Sequence, residues 1–280
     1  MSQLWKMPMP RLYSALTKLP LVGDVFRFRG LVYAITLRDI RSRYVGSAFG
    51  PLWLVLPPVF MVFIYTVIFS QIMRARLPGV EHQFAYSMYL CAGLLSWNLL
   101  LELVQRSKGL FLEHANLIKK SNFSKFILFI PVVVVALLNS MILLVLILGF
   151  MLLSGYPMPS SLAYILPVLA VVLLMGLALG ALLATLNVFF RDVGQFVDVF
   201  FQGIFWATPI VYPVSILSPA VQQALSWNPL FPLVRAAQSS FLGDVPDIAS
   251  LGYPLAVAIV FFALALLLYR RSYADLLDQI

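Results

Sequence analysis

Charge is scarce in this chain. Only 11% of its 280 residues are Asp, Glu, Lys or Arg, against 62% apolar, and mean hydropathy is +0.96. A water-soluble domain cannot cover its surface with so few charges, so the chain reads as an integral membrane protein. Cysteine is nearly absent. Cys91 stands alone in an apolar segment, which excludes an intrachain disulfide framework. Two histidines occur, His82 and His114, and the topology below puts them on opposite sides of the membrane, which excludes one shared metal site. No glycine-rich phosphate loop of the G-x-x-x-x-G-K-S/T type is present. No internal repeat supports an inverted-repeat carrier. No short apolar core with a small-residue cleavage site marks a cleaved signal peptide. The net charge of +8 flanks apolar runs instead of forming one basic face, which argues against nucleic acid as a partner.

What the chain does have is a series of long apolar runs that begins at a sharp boundary. Arg38 to Pro58 reads RDIRSRYVGSAFGPLWLVLPP. Its first half carries Arg38, Arg41 and Arg43, which suit lipid head groups. Its second half opens a run without charge as far as Met73. Pro51 falls where a helix tolerates proline best, in the first turn. Six spans are expected: Phe49–Met73, Tyr86–Val104, Phe126–Leu153, Leu162–Asn187, Phe196–Val214 and Gly252–Tyr269. Sixteen Lys and Arg residues then lie before the first span, in the 105–125 loop, at Arg191 or after the sixth span. Three lie opposite: Arg74, Arg76 and Arg235. The positive-inside rule puts both termini in the cytoplasm, and an even number of spans requires the termini to share a side.

Residues 1 to 20 read as an irregular lead with Pro8, Pro10 and Pro20. From Asp24 to Tyr44, Val25, Phe28, Val32 and Ile35 recur at spacings of three and four, with Arg27, Arg38 and Arg41 on the other side. That pattern predicts an amphipathic helix in the membrane interface. The loop Gln105–Lys125 is basic, yet Phe111, Ala115 and Ile118 share one helical face. Such a short helix either inserts into a groove on a soluble partner or lies on the membrane surface. Between Tyr212 and Leu251 only Arg235, Asp244 and Asp247 are charged. Pro219–Trp227 and Leu230–Phe241 are too short to span, and read as re-entrant helices covered by protein or as a loop packed on the outer surface. Asn98, Glu102, Asn139, Asp198 and Gln202 lie inside spans, where they line a wet pathway or bond neighbouring helices. Trp97, Phe200 and Phe201 lie deeper and suit sugar rings. Tyr86 and Tyr212, near span ends, suit an interfacial belt.

Three runs are more specific. GSAFGPLW entering span one, NLIKKSNF in the 105–125 loop and NVFFRDVGQFV after span four resemble the ABC-2 family of membrane permeases. Within it they look most like permeases that export O-antigen and related polysaccharides. The first run is also similar to capsule and teichoic-acid exporters. The resemblance covers about Leu37 to Arg271.

It implies an all-α membrane protein built as one ABC-2 type transmembrane domain over residues 1–280. Residues 1–48 would be cytoplasmic lead and interfacial helix, 49–271 a six-span bundle and 272–280 a cytoplasmic tail. A coupling helix after span two would dock into an ATPase, through Leu110, Phe111, His114, Ala115, Asn116, Leu117, Ile118 and Lys119. Short re-entrant helices between spans five and six would close the outer end. The implied cargo is a lipid-linked glycan crossing the bacterial cytoplasmic membrane: O-antigen first, with capsule, teichoic acid or a drug left open. The chain itself would hold no cofactor. Two ATPase subunits would bind ATP and Mg, and a second copy of this chain would complete a pathway through Trp97, Asn98, Phe200, Phe201 and Gln202. Arg38, Arg41 and Arg43 would meet lipid head groups. Two rivals fit less well. A membrane-embedded glycosyl or prenyl-phosphate transferase needs paired carboxylates on the cytoplasmic side, but Asp244/Asp247 fall outside and Asp275/Asp278 at the tip. A proton-driven carrier needs ionisable groups near the midplane, and spans three, four and six have none.

Overall fold

The computed structural model describes residues 27–42, 45–72, 77, 82–120, 123–273, 276 and 279. The irregular lead, the interfacial helix before residue 27, Arg43, Met73, Arg74 and Arg76 lie outside the described residues. All regular structure among the described residues is helical. In chain order the helices are α1 Arg29–Ser42, α2 Leu56–Tyr65, α3 Ala85–Lys108, α4 Leu110–Glu113, α5 Ala115–Lys120 and α6 Phe129–Leu153. Then come α7 Ile165–Phe189, α8 Asp192–Ala207, α9 Pro219–Leu225, α10 Leu230–Leu242 and α11 Gly252–Arg271.

Five segments are helical, long and apolar enough to cross a membrane: Leu52–Phe69, Ala85–Lys108, Lys125–Leu153, Ser160–Phe189 and Ile248–Arg271. They match expected spans one to four and six. The fifth differs. α8 has 16 residues, about 24 Å at 1.5 Å per residue, and the chain leaves the helix before Val214. Pro209 is the cause: it has no N–H, and it holds Thr208 extended at φ −102° and ψ 132°. The interfacial helix forms as α1, lying against α6. Phe28 meets Phe123 at 5.6 Å and Ile35 is buried, so part of the apolar stripe covers the protein itself.

α3 is the pillar of the fold, touching α2, α6, α7 and α10. Most of its side chains are buried, polar ones included. Small residues set its distance to α7: a Cβ added at Gly176 would lie 2.7 Å from Leu103 Cδ1, and one at Gly180 would lie 2.6 Å from Ser107 Oγ. Between helices in lipid, where apolar surface gains little by pairing, such close backbone approach is a main source of attraction. α11 packs on the far side of α7.

The two short external helices form near their expected bounds but differ in burial. α9 is exposed apart from Leu225, whereas α10 is buried against α3 and α7. The bend between α8 and α9 is stitched to α3. Tyr86 Oη donates to the Val211 carbonyl at 2.7 Å, and Tyr89 Oη to those of Pro209 and Tyr212 at 3.1 and 2.9 Å. Gln238 Nε2 on α10 also donates to the Pro209 carbonyl, at 3.1 Å. Tyr86 is therefore buried and not part of an outer belt. The Tyr212 hydroxyl likewise donates to a backbone carbonyl, that of Trp206, at 2.7 Å.

Gly180→Val tests the α3–α7 contact. The branched side chain should push the helices apart and destabilise the protein by about 1–3 kcal/mol. Gly149→Val, where an added Cβ meets nothing within 4 Å, should change little. Thermal unfolding in detergent reads the difference, and equal midpoints would remove the small-residue contact as the determinant.

Candidate functional site

A cleft of about 440 Å³ opens between the start of α2, the C-terminal half of α3 and the middle of α6. Trp53, Pro57 and Met61 form one wall, and Asn98, Glu102 and Asn139 face them. Glu102 is the electrostatic centre. Asn139 Nδ2 donates to both of its carboxylate oxygens, at 2.6 and 2.7 Å, and Arg106 Nε donates to Oε1 at 2.9 Å. Helical spacing explains the ion pair, since residues 102 and 106 are one turn apart. A carboxylate at this depth needs such partners, because low dielectric penalises an isolated charge. Asn98 reaches only Met61 Sδ, at 3.7 Å, and leaves its oxygen facing the cleft.

The polar chain continues to the cytoplasmic end. Arg106 Nη1 lies 3.9 Å from Asp39 Oδ2 on α1, and neighbouring Arg38 donates from Nη2 to His114 Nε2 at 3.2 Å. Arginine has no acceptor, so Nε2 accepts and the ring proton sits on Nδ1, which donates to the Leu110 carbonyl at 3.0 Å. His114 is the hinge between α4 and α5. Contacts thus run from Asn139 in the cleft, through Glu102, Arg106, Asp39 and Arg38, to the turn between α4 and α5.

That segment is inverted relative to the apolar docking face expected of it. Phe111 and Ile118 are buried within this chain. Phe111 meets Phe129 at 5.9 Å and Tyr269 at 6.1 Å, while Lys125 Nζ donates to the Ile118 carbonyl at 3.1 Å. Leu110 is buried too, and Ala115 and Leu117 are half-buried. The exposed side carries Glu113, Asn116, Lys119 and Lys120. The apolar residues anchor the segment, and its polar residues are the ones offered outward. A groove of about 450 Å³ beside it is lined by Ile35 and Arg38 of α1 and by Glu113 and Asn116.

The NVFFRDVGQFV run acts as a clamp. Asn187 Nδ2 donates to the Lys108 carbonyl at 2.8 Å, and Asn187 Oδ1 accepts from the Gly194 N–H at 3.0 Å. Lys108 Nζ in turn donates to Asp198 and to the Gly194 carbonyl. One amide side chain thereby joins the C-terminus of α3 to the start of α8. Polarity inside a span was the only sequence signal for Glu102 and Asn139. Asn187 opens the NVFFRDVGQFV run and Tyr89 is one of the aromatics of span two, but nothing in the sequence assigned either a bonding role, and it did not mark Gln238.

The expected pathway residues separate. Trp97 and Phe201 are buried and pack on each other at 6.0 Å, with Phe205 also against Trp97 at 5.5 Å. They join α3 to α8. Phe200 and Gln202 are exposed, and Phe200 stacks on exposed Phe196 at 5.5 Å. Of the five, Asn98 alone lines the cleft. Arg38 and Arg41 belong to α1, where Arg38 serves His114 as well as solvent.

The chain is a helical bundle with five helices long and apolar enough to cross a membrane, and a short hairpin linked by polar contacts to a cleft. Residues 30–242 match the ABC-2 type transporter family, and the chain belongs to it. It is 30% identical over 244 residues to the O-antigen export system permease protein RfbA of Myxococcus xanthus, covering 86% of this chain and 91% of that one. The protein of the same name from Klebsiella pneumoniae is 27% identical over 77% of this chain and 81% of its own length. The polysialic acid transport protein KpsM of Escherichia coli is 22% identical over 85% of this chain and 92% of its own length.

Arg106→Met removes a charged partner of Glu102 and should destabilise the protein by roughly 1–3 kcal/mol. Adding Glu102→Gln removes the charge that Arg106 balances and should restore part of that loss. Thermal midpoints of the two variants measure the coupling, and a double variant no better than the single one would show that the pair acts only through packing.

Proposed function

We propose that this chain is the permease subunit of an ATP-driven exporter that moves a lipid-linked polysaccharide, O-antigen foremost, across the bacterial cytoplasmic membrane. The observation that carries the reading is the likeness to O-antigen export permeases over most of both chains. The weaker likeness to a polysialic acid transporter favours capsular polysaccharide as the second reading. In this reading α8 and the bend after it form a sixth span, stitched at its outer end by Tyr86, Tyr89 and Gln238. Both termini then face the cytoplasm. Residues 208–251 face outward, with α9 and α10 as short helices at the outer mouth.

ATP and Mg belong to a separate ATPase, two copies of which meet two copies of this permease. The exposed polar side of α4–α5 and the adjoining groove receive the ATPase, and the chain of contacts from His114 to Asn139 transmits its movement to the cleft. Exposed apolar faces on α2 (Phe60, Phe63, Ile64) and α8 (Phe196, Val199, Phe200, Trp206) suit hydrocarbon or the second copy.

Two experiments test the reading. Lys119→Glu with Lys120→Glu should cut co-purification of the ATPase at least tenfold and stop export, while the permease still inserts and keeps its thermal midpoint. Phe111→Asp should instead unfold the hairpin locally. Undiminished ATPase recovery from the double variant would move the docking surface elsewhere. For topology, cysteines placed singly at Asn116 and Gln223 should differ in intact cells. An impermeant maleimide should label Gln223→Cys and leave Asn116→Cys unlabelled, with no background from Cys91, which is fully buried. Labelling at position 116 overturns the orientation.

A further inference from the structure

A depression of about 530 Å³ opens where α10 meets the first turn of α11. Local structure builds it. Gly243, left-handed at φ 99°, ends α10, and the Asp244 N–H turns back to the Ser239 carbonyl at 3.1 Å. This closure keeps Asp244 and Asp247 alongside the helix instead of beyond it. Arg235 lies over the Phe231 ring at 5.9 Å. Among the described residues, neither Arg235 nor Asp244 has an ion-pair or side-chain hydrogen-bond partner. Tyr253 forms another edge, its hydroxyl donating to the carbonyl of Trp227 at 2.9 Å.

The chemistry selects a ligand class. Two carboxylates against one guanidinium give the rim a net charge of −1, which disfavours phosphate groups and anionic head groups. Carboxylate oxygens, a guanidinium fork and the hydroxyls of Ser226 and Ser239 match neighbouring sugar hydroxyls, which both donate and accept. Tyr253, 42% exposed, offers ring surface to the apolar side of a pyranose. The volume lies within the usual range for small-molecule sites. We propose that this depression is a saccharide cradle that holds a neutral, hydroxyl-rich stretch of the glycan on the external side of the membrane. It rests on the export reading and on the outward placement of residues 208–251.

The probe is the set of neutral oligosaccharides released by mild acid from the surface polysaccharide of cells that make this chain. Binding to the permease–ATPase complex in nanodiscs is followed by saturation-transfer NMR. Wild type should give transfer to the oligosaccharide, and Arg235→Ala with Asp244→Asn should weaken binding at least tenfold. Both side chains are exposed, and an unchanged thermal midpoint confirms that the variant is folded. Sodium pyrophosphate and phosphatidylglycerol vesicles should not displace the oligosaccharide. Wild-type affinity in the double variant, or displacement by pyrophosphate, overturns the cradle. Deleting the chain tests export separately, by loss of surface polysaccharide. If that loss occurs and the wild-type complex binds no oligosaccharide, the cradle falls and the export reading stands.

Discussion

Inside a bilayer no water satisfies a stray polar group, so each one must find its partner in the protein. α3 meets that demand for much of the molecule. At its outer end Tyr86 and Tyr89 cover the carbonyls of the bend that follows α8. Near its inner end Glu102 gathers Asn139 and Arg106, and at its last residue Lys108 holds Asp198 while its carbonyl accepts from Asn187. Remove α3 and the broken backbone after α8, the Asn139 amide and the start of α8 all lose partners together. Its burial on nearly all sides follows from this role.

The same helix joins the cleft to the hairpin that follows it. Its C-terminal half contributes Asn98 and Glu102 to the cleft and Arg106 to the contacts that reach His114. Only Gly109 separates α3 from α4, so the hairpin is joined to α3 with little slack in the chain. Phe111 and Ile118, locked into the core, make the hairpin a rigid extension of the bundle and not a loose loop.

The outer end is arranged differently. There α10 is buried against α3 and α7 while α9 lies exposed, and irregular backbone in the proline-rich connections is satisfied by side chains: Gln238 donates to the Pro209 carbonyl, and Asn228 accepts from the Leu230 N–H. Gly93 lets α10 approach α3 closely, since an added Cβ would lie 2.9 Å from Gln238 Nε2. The short external helices are thus held in the bundle by polar contacts as much as by apolar ones.

The sequence by itself determined the membrane class, the bounds of five long apolar helices and the two short helices α9 and α10. Those properties are local: hydrophobic length, proline position and charge near span ends are written residue by residue. Which side of each helix points inward was decided only by the tertiary structure. Lipid tails are as apolar as a protein core, so Trp97 and Phe201, which are buried, carry the same sequence signal as Phe200 and Trp206, which are not. The same ambiguity hid the anchoring role of Phe111 and Ile118, whose apolar face suited a partner's groove as well as this chain's own core. The break in the fifth span at Pro209 was likewise invisible to hydropathy, because the carbonyls it frees are satisfied by Tyr86 and Tyr89 more than a hundred residues earlier in the chain.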